Sequence, residues 1–149
     1  MLASLKLIDL VEKNAEVIAR QWVGALQTNK RTPHYHGLPA ERLQPQAAEF
    51  YRQLKKLLMS ANTFEETQDY FHRYARTCFE EGIPLHEAIY ALVLMRRQMW
   101  LFAEFQTAFV TAVEHQQAID SITRTILMMD YAVHKITQYY LELMKKDLK

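Results

Sequence analysis

The chain contains few of the residues that break helices or cross-link a fold. Its 149 residues include three glycines, four prolines and a single cysteine, Cys78. One cysteine excludes an internal disulfide, and a chain without disulfides is typical of a reducing compartment.

Long apolar runs are missing as well. No segment approaches the roughly 18 uninterrupted apolar residues that a membrane-spanning helix needs. Lys6, Asp9, Glu12 and Lys13 interrupt the apolar residues near the start of the chain, which excludes a secretory signal peptide. The sequence therefore predicts a cytoplasmic protein that does not enter a membrane.

Neither sign of charge dominates the chain. Its formal net charge is +1, and the basic dipeptides Lys55–Lys56, Arg96–Arg97 and Lys145–Lys146 lie far apart. This pattern argues against a nucleic-acid partner, and a hydrophobic content of 50% argues against disorder. A chain of this length predicts one domain, residues 1–149, with a sizeable core.

Apolar residues recur at spacings of three and four along most of the chain, which indicates amphipathic helices. No alternating, β-branched segment and no internal repeat is present. The sequence predicts an all-α, globin-like bundle of about five to six helices. The main helices are expected from about Ser4 to Asn29, Ala40 to Ser60, Thr63 to Gly82, Pro84 to His115 (with a bend near Ala103–Thr107 left open) and Gln116 to Lys146.

Local signals mark two of these boundaries. Thr63, with Glu66 three residues later, has the pattern of a capping box at a helix start. Gly82 is expected to end that helix in a left-handed conformation, and Pro84 suits the first turn of the next helix because its missing N–H is not needed there.

The segment Leu85–Trp100 has an unusual composition for a surface helix. No charge occurs between Ala88 and Met95, so we expect a central helix that is buried on all sides. Arg96 and Arg97 then mark the point where this helix emerges, or one of them is held by an acidic side chain. The acids considered are Glu80, Glu81 and Glu104.

The chain resembles, over nearly its whole length, the N-terminal sensor domain of the RsbR/RsbRD class, the RsbT co-antagonists of the stressosome. The resemblance rests on Arg76, Gly82, Ile83, Pro84, Leu85, Glu87, Ala88, Ile89, Ala91, Leu92, Leu94, Arg97 and Trp100. Similar domains precede bacterial histidine kinases and other signalling outputs. The resemblance implies a globin-like fold without haem, a homodimer, and a downstream signalling domain or protein as partner.

The histidines offer weak evidence for a metal or a haem. His34 and His36 lie in a proline- and glycine-containing loop without a third ligand nearby. A di-iron site needs paired E-x-x-H motifs, and the chain has only Asp69 followed by His72. His72 and His86 are the two weak candidates for a haem ligand. We therefore expect no metal and no cofactor.

No pattern of catalytic residues is apparent. Cys78 has no histidine close to it in sequence and is expected to be a small buried hydrophobe. Phosphate-binding glycine loops and the G-x-S-x-G motif are both missing, so the sequence does not indicate an enzyme.

Methionine and aromatic residues are dense around the expected central helix. Such side chains either fill an ordinary core or line an adaptable pocket for a small apolar ligand. The candidates for this pocket are Trp22, Phe71, Tyr74, Cys78, Met95, Met99 and Trp100.

The last helix carries a heptad pattern of apolar residues, Ile119, Ile122, Ile126, Met129, Val133, Ile136, Tyr140 and Leu143. We expect Ile119–Met129 to face the domain's own core and the part beyond Val133 to form a homodimer together with the first helix. The candidate interface residues are Leu5, Ile8, Ile136, Tyr140 and Leu143.

The function predicted from these patterns is a bacterial signalling input domain, which transmits a signal through its terminal helices as a homodimer. Two alternatives remain open at this stage. One is a globin-type protein that binds a small ligand or haem, and the other is an adaptor without a ligand.

Overall fold

A computed structural model of the chain describes residues 5–59, 63–105 and 111–148 and contains only helices and turns there. The prediction of an all-α fold is confirmed. Seven α-helices are present in the described part of the chain, together with a 3-10 turn at Pro33–Tyr35. The helices are α1 (Leu5–Lys13), α2 (Ala15–Thr28), α3 (Ala40–Arg52), α4 (Leu54–Met59), α5 (Thr63–Glu80), α6 (Leu85–Phe105) and α7 (Ala112–Asp147).

The first two predicted helices are each divided in two, so the prediction of five to six helices was too low. Asn14, with φ −113° and ψ 24°, separates α1 from α2. Its side-chain amide donates to the carbonyl of Leu10 at 2.8 Å, which is the local competition with the backbone that favours breaks at asparagine. Gln53, with φ −100° and ψ 9°, separates α3 from α4.

The turn between α5 and α6 follows the sequence signals closely. Gly82 has φ +76°, as expected for a left-handed helix end. The Ile83 N–H donates to the Cys78 carbonyl at 2.9 Å and the Gly82 N–H to the Phe79 carbonyl at 3.0 Å, which is a Schellman motif. The Pro84 carbonyl accepts from the Ala88 N–H at 3.0 Å, so Pro84 opens α6. The side chains of the predicted capping box, Thr63 and Glu66, lie outside the described residues.

Replacing Gly82 with alanine should destabilise the protein by about 1 kcal/mol, because an L-residue is strained at positive φ. A Cβ at Gly82 would meet no atom within 4 Å, so the cost is conformational rather than steric. Gly24 is the matched control, since it lies inside α2 with equally open space. Gly24→Ala should stabilise by about 0.5–1 kcal/mol. Urea unfolding measures the change in stability of both variants. A change of the same sign in the two variants would contradict this explanation.

The boundary between the last two helices was predicted wrongly. α6 ends at Phe105 and α7 already begins at Ala112, rather than after His115. The Thr111 hydroxyl accepts from the Glu114 N–H at 3.0 Å and caps α7. Thr111 and Glu114 have the capping-box spacing that also marks Thr63, so the sequence contains a signal for this helix start. Part of the bend considered near Ala103–Thr107 lies outside the described residues.

α6 occupies the middle of the bundle, and α1, α2, α5 and α7 pack against it. Its buried residues include Leu92, Met95 and Met99. The prediction of burial on all sides was wrong, however, because Arg97 and Trp100 are exposed, and Trp100 keeps 39% of its surface accessible. These two residues lie one turn apart on α6. None of the helices described is long and apolar enough to cross a membrane.

Candidate functional site

Three aromatic side chains bind the backbone of α6 directly. They come from three different helices, α2, α3 and α5, and each donates a hydrogen bond to a carbonyl oxygen on one face of α6. The bonds join Trp22 Nε1 to the Ala91 oxygen (2.8 Å), the Tyr51 hydroxyl to the Met95 oxygen (2.6 Å) and the Tyr74 hydroxyl to the Ala88 oxygen (2.7 Å).

These bonds explain why polar aromatics occur in the core. A buried indole N–H or phenol O–H needs a partner, and a helical carbonyl has a second lone pair to offer. Burial also raises the pKa of Tyr51 and Tyr74 well above the ordinary phenol value, so both remain donors. The small side chains of Ala88 and Ala91 allow the rings to approach the backbone. Tyr51 was not among the residues selected from the sequence.

The predicted pocket residues do not form one site. Six of them are buried in the core: Trp22, Phe71, Tyr74, Cys78, Met95 and Met99. Trp100 is separate from this group, because it lies at a surface cleft of about 220 Å³ between α6 and α7. Tyr74 also reaches a second cleft, between α3 and α5.

Cys78 is a buried thiol, as its sequence neighbourhood suggests. Its sulfur lies 3.6 Å from the hydroxyl of Tyr35, which is itself buried. Desolvation raises the pKa of Cys78 to about 11. The thiol is therefore protonated at neutral pH, and this state gives it little nucleophilicity.

The loop that contains His34 and His36 closes over the start of α6. The Glu87 carboxylate is only 1% exposed and accepts from the His34 backbone N–H at 2.9 Å. The Nδ1 atom of His34 contacts the other carboxylate oxygen. His36 contacts the Asn29 carbonyl through Nε2 at 2.7 Å. The pattern of apolar residues did not identify Glu87 as a buried acid, because its partner is 53 positions away in the chain.

The two haem-ligand candidates lie at different places on the surface. The His72 ring stacks on the ring of Tyr139, with centroids 4.4 Å apart and an angle of 15° between the planes. His86 is exposed in the first turn of α6. Among the described residues, no group of three or more histidine, cysteine, aspartate or glutamate side chains is arranged to hold a metal ion.

The orientation of α7 differs from the prediction, although Met129 faces the core as expected. Ile136 and Tyr140 are buried within the monomer, as is Ile8 of α1, so these residues are not available to a second copy. The Tyr140 hydroxyl donates to the Ile83 carbonyl at 2.8 Å. Leu143 is partly exposed, and the side chain of Leu5 lies outside the described residues.

The buried residues of α7 explain this difference. They repeat every eleven positions, so that Ala118, Met129 and Tyr140 share one side, as do the pairs Ser121–Ala132 and Thr125–Ile136. An 11-residue repeat has 3.67 residues per turn, whereas a heptad repeat has 3.5 and drifts by about 20° per heptad on a straight helix. The residues of the heptad pattern are therefore exposed at the start of the helix, at Ile119, and buried in the core by Ile136.

Part of this heptad pattern forms an apolar surface together with α6. We call it the α6–α7 strip and define it as Val93, Trp100, Ile119, Ile122 and Ile126. Ile119 is 52% exposed and Ile126 is 36% exposed, while Val93 and Ile122 are partly buried. Val93, Trp100 and Ile122 line the 220 Å³ cleft together with Arg96 and Arg97.

Comparison of the chain with models of protein families, with curated proteins and with solved structures finds no match. The resemblance to RsbR-class sensor domains therefore stays a prediction.

Proposed function

We propose that the chain is a non-catalytic regulatory domain that forms a homodimer through the α6–α7 strip and passes a signal along α7. The single observation that carries the proposal is the exposed apolar surface of the strip. We infer that the chain acts as an input domain for signalling in the cytoplasm.

The size and composition of the strip favour a protein partner. Exposed apolar side chains that occur singly are ordinary, but a contiguous group that includes tryptophan is typical of an interface. Ile119, Ile122 and Ile126 lie on one face of α7 because residues three and four apart are neighbours on a helix. Trp100 and Val93 extend this face across the cleft onto α6.

The charges around the strip favour a second copy as that partner. Arg96 and Arg97 border it on α6, and the exposed acid Asp130 lies one turn beyond Ile126 on α7. A surface that carries both signs of charge is self-complementary in a two-fold dimer, where each patch meets its own copy. The net charge of +1 also leaves little repulsion between copies.

The regulatory role follows from the length of α7. This helix has 36 residues, of which the first half carries the strip and the second half packs on α5 through contacts such as Phe79 with Tyr140. A change at the interface is therefore connected to the opposite end of the domain by one continuous helix. Shifts of helices at subunit interfaces are a common route for such coupling.

We expect Ile119→Glu combined with Ile126→Glu to convert the protein from a dimer to a monomer. Sedimentation or light scattering at tens of micromolar should show twice the chain mass of 17.6 kDa for the wild type and a single chain mass for the variant. The helix content by circular dichroism should stay nearly unchanged, because both side chains are already exposed.

Leu127→Glu is the matched control. Leu127 is 64% exposed and directly follows Ile126, but it points about 100° away from it around the helix. The control should remain dimeric. In hydrogen exchange, residues 133–147 should be more protected in the control than in the monomeric variant. A monomeric wild type, or equal behaviour of the two variants, would contradict the proposal.

A further inference from the structure

We propose that the cleft between α3 and α5 binds a small zwitterion, a molecule that carries both an ammonium group and a carboxylate. The cleft has a volume of about 250 Å³ and lies apart from the residues of the α6–α7 strip. The side chains that matter for recognition are Gln46, Glu49, Arg73, Arg76, Thr77 and Glu80. This inference does not depend on the dimer.

An unsatisfied acceptor on Gln46, one of the residues that line the cleft, is the first observation. The side-chain oxygen Oε1 of Gln46 is buried and has no hydrogen-bond donor among the described residues. The hydroxyl of Tyr70 is nearby but donates to the backbone carbonyl of Gln46 at 2.7 Å. Buried polar atoms in native proteins nearly always have a partner, so Oε1 of Gln46 can accept an N–H or O–H that a ligand or a water supplies.

The charges of the side chains that line the cleft are the second observation. Arg73 and Arg76 supply two guanidinium groups, and Glu49 and Glu80 supply two carboxylates. The formal charge of these four side chains is balanced, so a simple anion or cation would meet repulsion from half of the wall. A ligand with both signs of charge fits this distribution, with its carboxylate toward the arginines and its ammonium toward the glutamates and Gln46.

Each of the two arginines makes a bond within the protein and still has donors to offer. Arg73 binds Glu49 at 2.9 Å and lies over the ring of Tyr70, at 5.7 Å from its centroid. Arg76 binds the hydroxyl of Tyr139 and lies over its ring at 5.8 Å. A guanidinium carries five N–H groups, so each arginine keeps several for a ligand after making its bond within the protein.

The test uses the full chain, labelled with ¹⁵N, and four probes added singly: glycine, L-serine, L-glutamate and L-arginine. At about 10 mM, binding as weak as a millimolar Kd is detected. At least one probe should give saturable shifts of amide signals, concentrated at residues 46–49 and 73–80. The N-acetyl and the methyl ester derivatives of that probe should each bind at least about tenfold more weakly, because each lacks one of the two charges.

Variants then connect the binding to the cleft. Gln46→Leu and Arg73→Ala should each weaken binding by about tenfold or more. Arg42→Ala is the matched control, because Arg42 also forms an ion pair from α3, with Glu81 directly after α5 at 2.9 Å, but does not line the cleft. Binding to Arg42→Ala should equal that to the wild type. The proposal is overturned if no probe gives localised shifts, if the derivatives bind equally well, or if Arg42→Ala loses binding as Arg73→Ala does.

Discussion

Leu92→Asp should prevent the chain from reaching its native fold. Leu92 is 1% exposed and lies on the side of α6 that faces the core. A carboxylate at this position would lose its hydration without a partner, which costs far more than a protein of this size can supply. The expected result is insoluble protein, or soluble protein without a cooperative thermal transition. The milder variant Leu92→Ala should fold and lose about 2–5 kcal/mol in urea unfolding.

Val93→Asp is the control for this prediction. Val93 follows Leu92 directly but is partly exposed at the 220 Å³ cleft. This variant should keep the monomer fold, because its carboxylate can reach water. A native-like spectrum and a cooperative transition for Leu92→Asp would show that α6 is not the centre of the core.

Trp22→Ala should cost about 3–5 kcal/mol in the free energy of unfolding, which is the range for a fully buried large aromatic side chain. Trp22 has no exposed surface, and its indole joins α2 to α6. Trp22→Phe keeps most of the buried ring but removes the N–H donor, so we expect a smaller loss of about 1–2 kcal/mol.

Tyr51→Phe isolates the contribution of one such hydrogen bond, because it removes only the hydroxyl that donates to the Met95 carbonyl. The expected loss is about 1 kcal/mol. Urea unfolding, followed by circular dichroism, ranks the three variants. If Trp22→Ala cost no more than Tyr51→Phe, the indole would not be an essential part of the core.

The parts of the fold that depend on neighbouring residues could be predicted from the sequence. Gly82 and Pro84 mark the turn between α5 and α6 because backbone conformation alone explains their placement. The breaks at Asn14 and Gln53 could not be predicted from apolar spacing, because each interrupts the helix by one residue without glycine or proline.

The side of α7 that faces the core shows a second limit of predictions from apolar patterns. Two of its buried positions are Ser121 and Thr125, which a search for apolar residues passes over. The Thr125 hydroxyl donates to the Ser121 carbonyl at 2.9 Å, so this polar group is satisfied inside the core. The buried face of α7 contains these polar residues. The fully apolar heptad pattern therefore selected the wrong face in the first half of the helix.

The surfaces that carry our proposals depend on contacts between distant parts of the chain. Nothing in the neighbourhood of Gln46 indicates a buried acceptor, since the wall around it comes from α5, some 30 positions later. The α6–α7 strip likewise becomes visible only when Trp100 and Ile122 are placed at the same cleft. The sequence indicated the right residue types at α6, but it did not indicate which of them faces outward.

The three aromatic donors to α6 restrict how this protein can move. Carbonyl groups on one face of a helix recur about every 5.4 Å, so an axial displacement of α6 by a smaller distance would break all three bonds together. α2, α3, α5 and α6 should therefore move as one rigid body, to which the Tyr140 hydroxyl attaches the second half of α7. Ile119 lies 21 residues before this attachment, at a distance of about 30 Å along the helix. With Tyr140 as pivot, a tilt of α7 by about 5° displaces Ile119 by about 3 Å relative to the strip residues on α6, so a small rearrangement near the pivot becomes a large one at the surface.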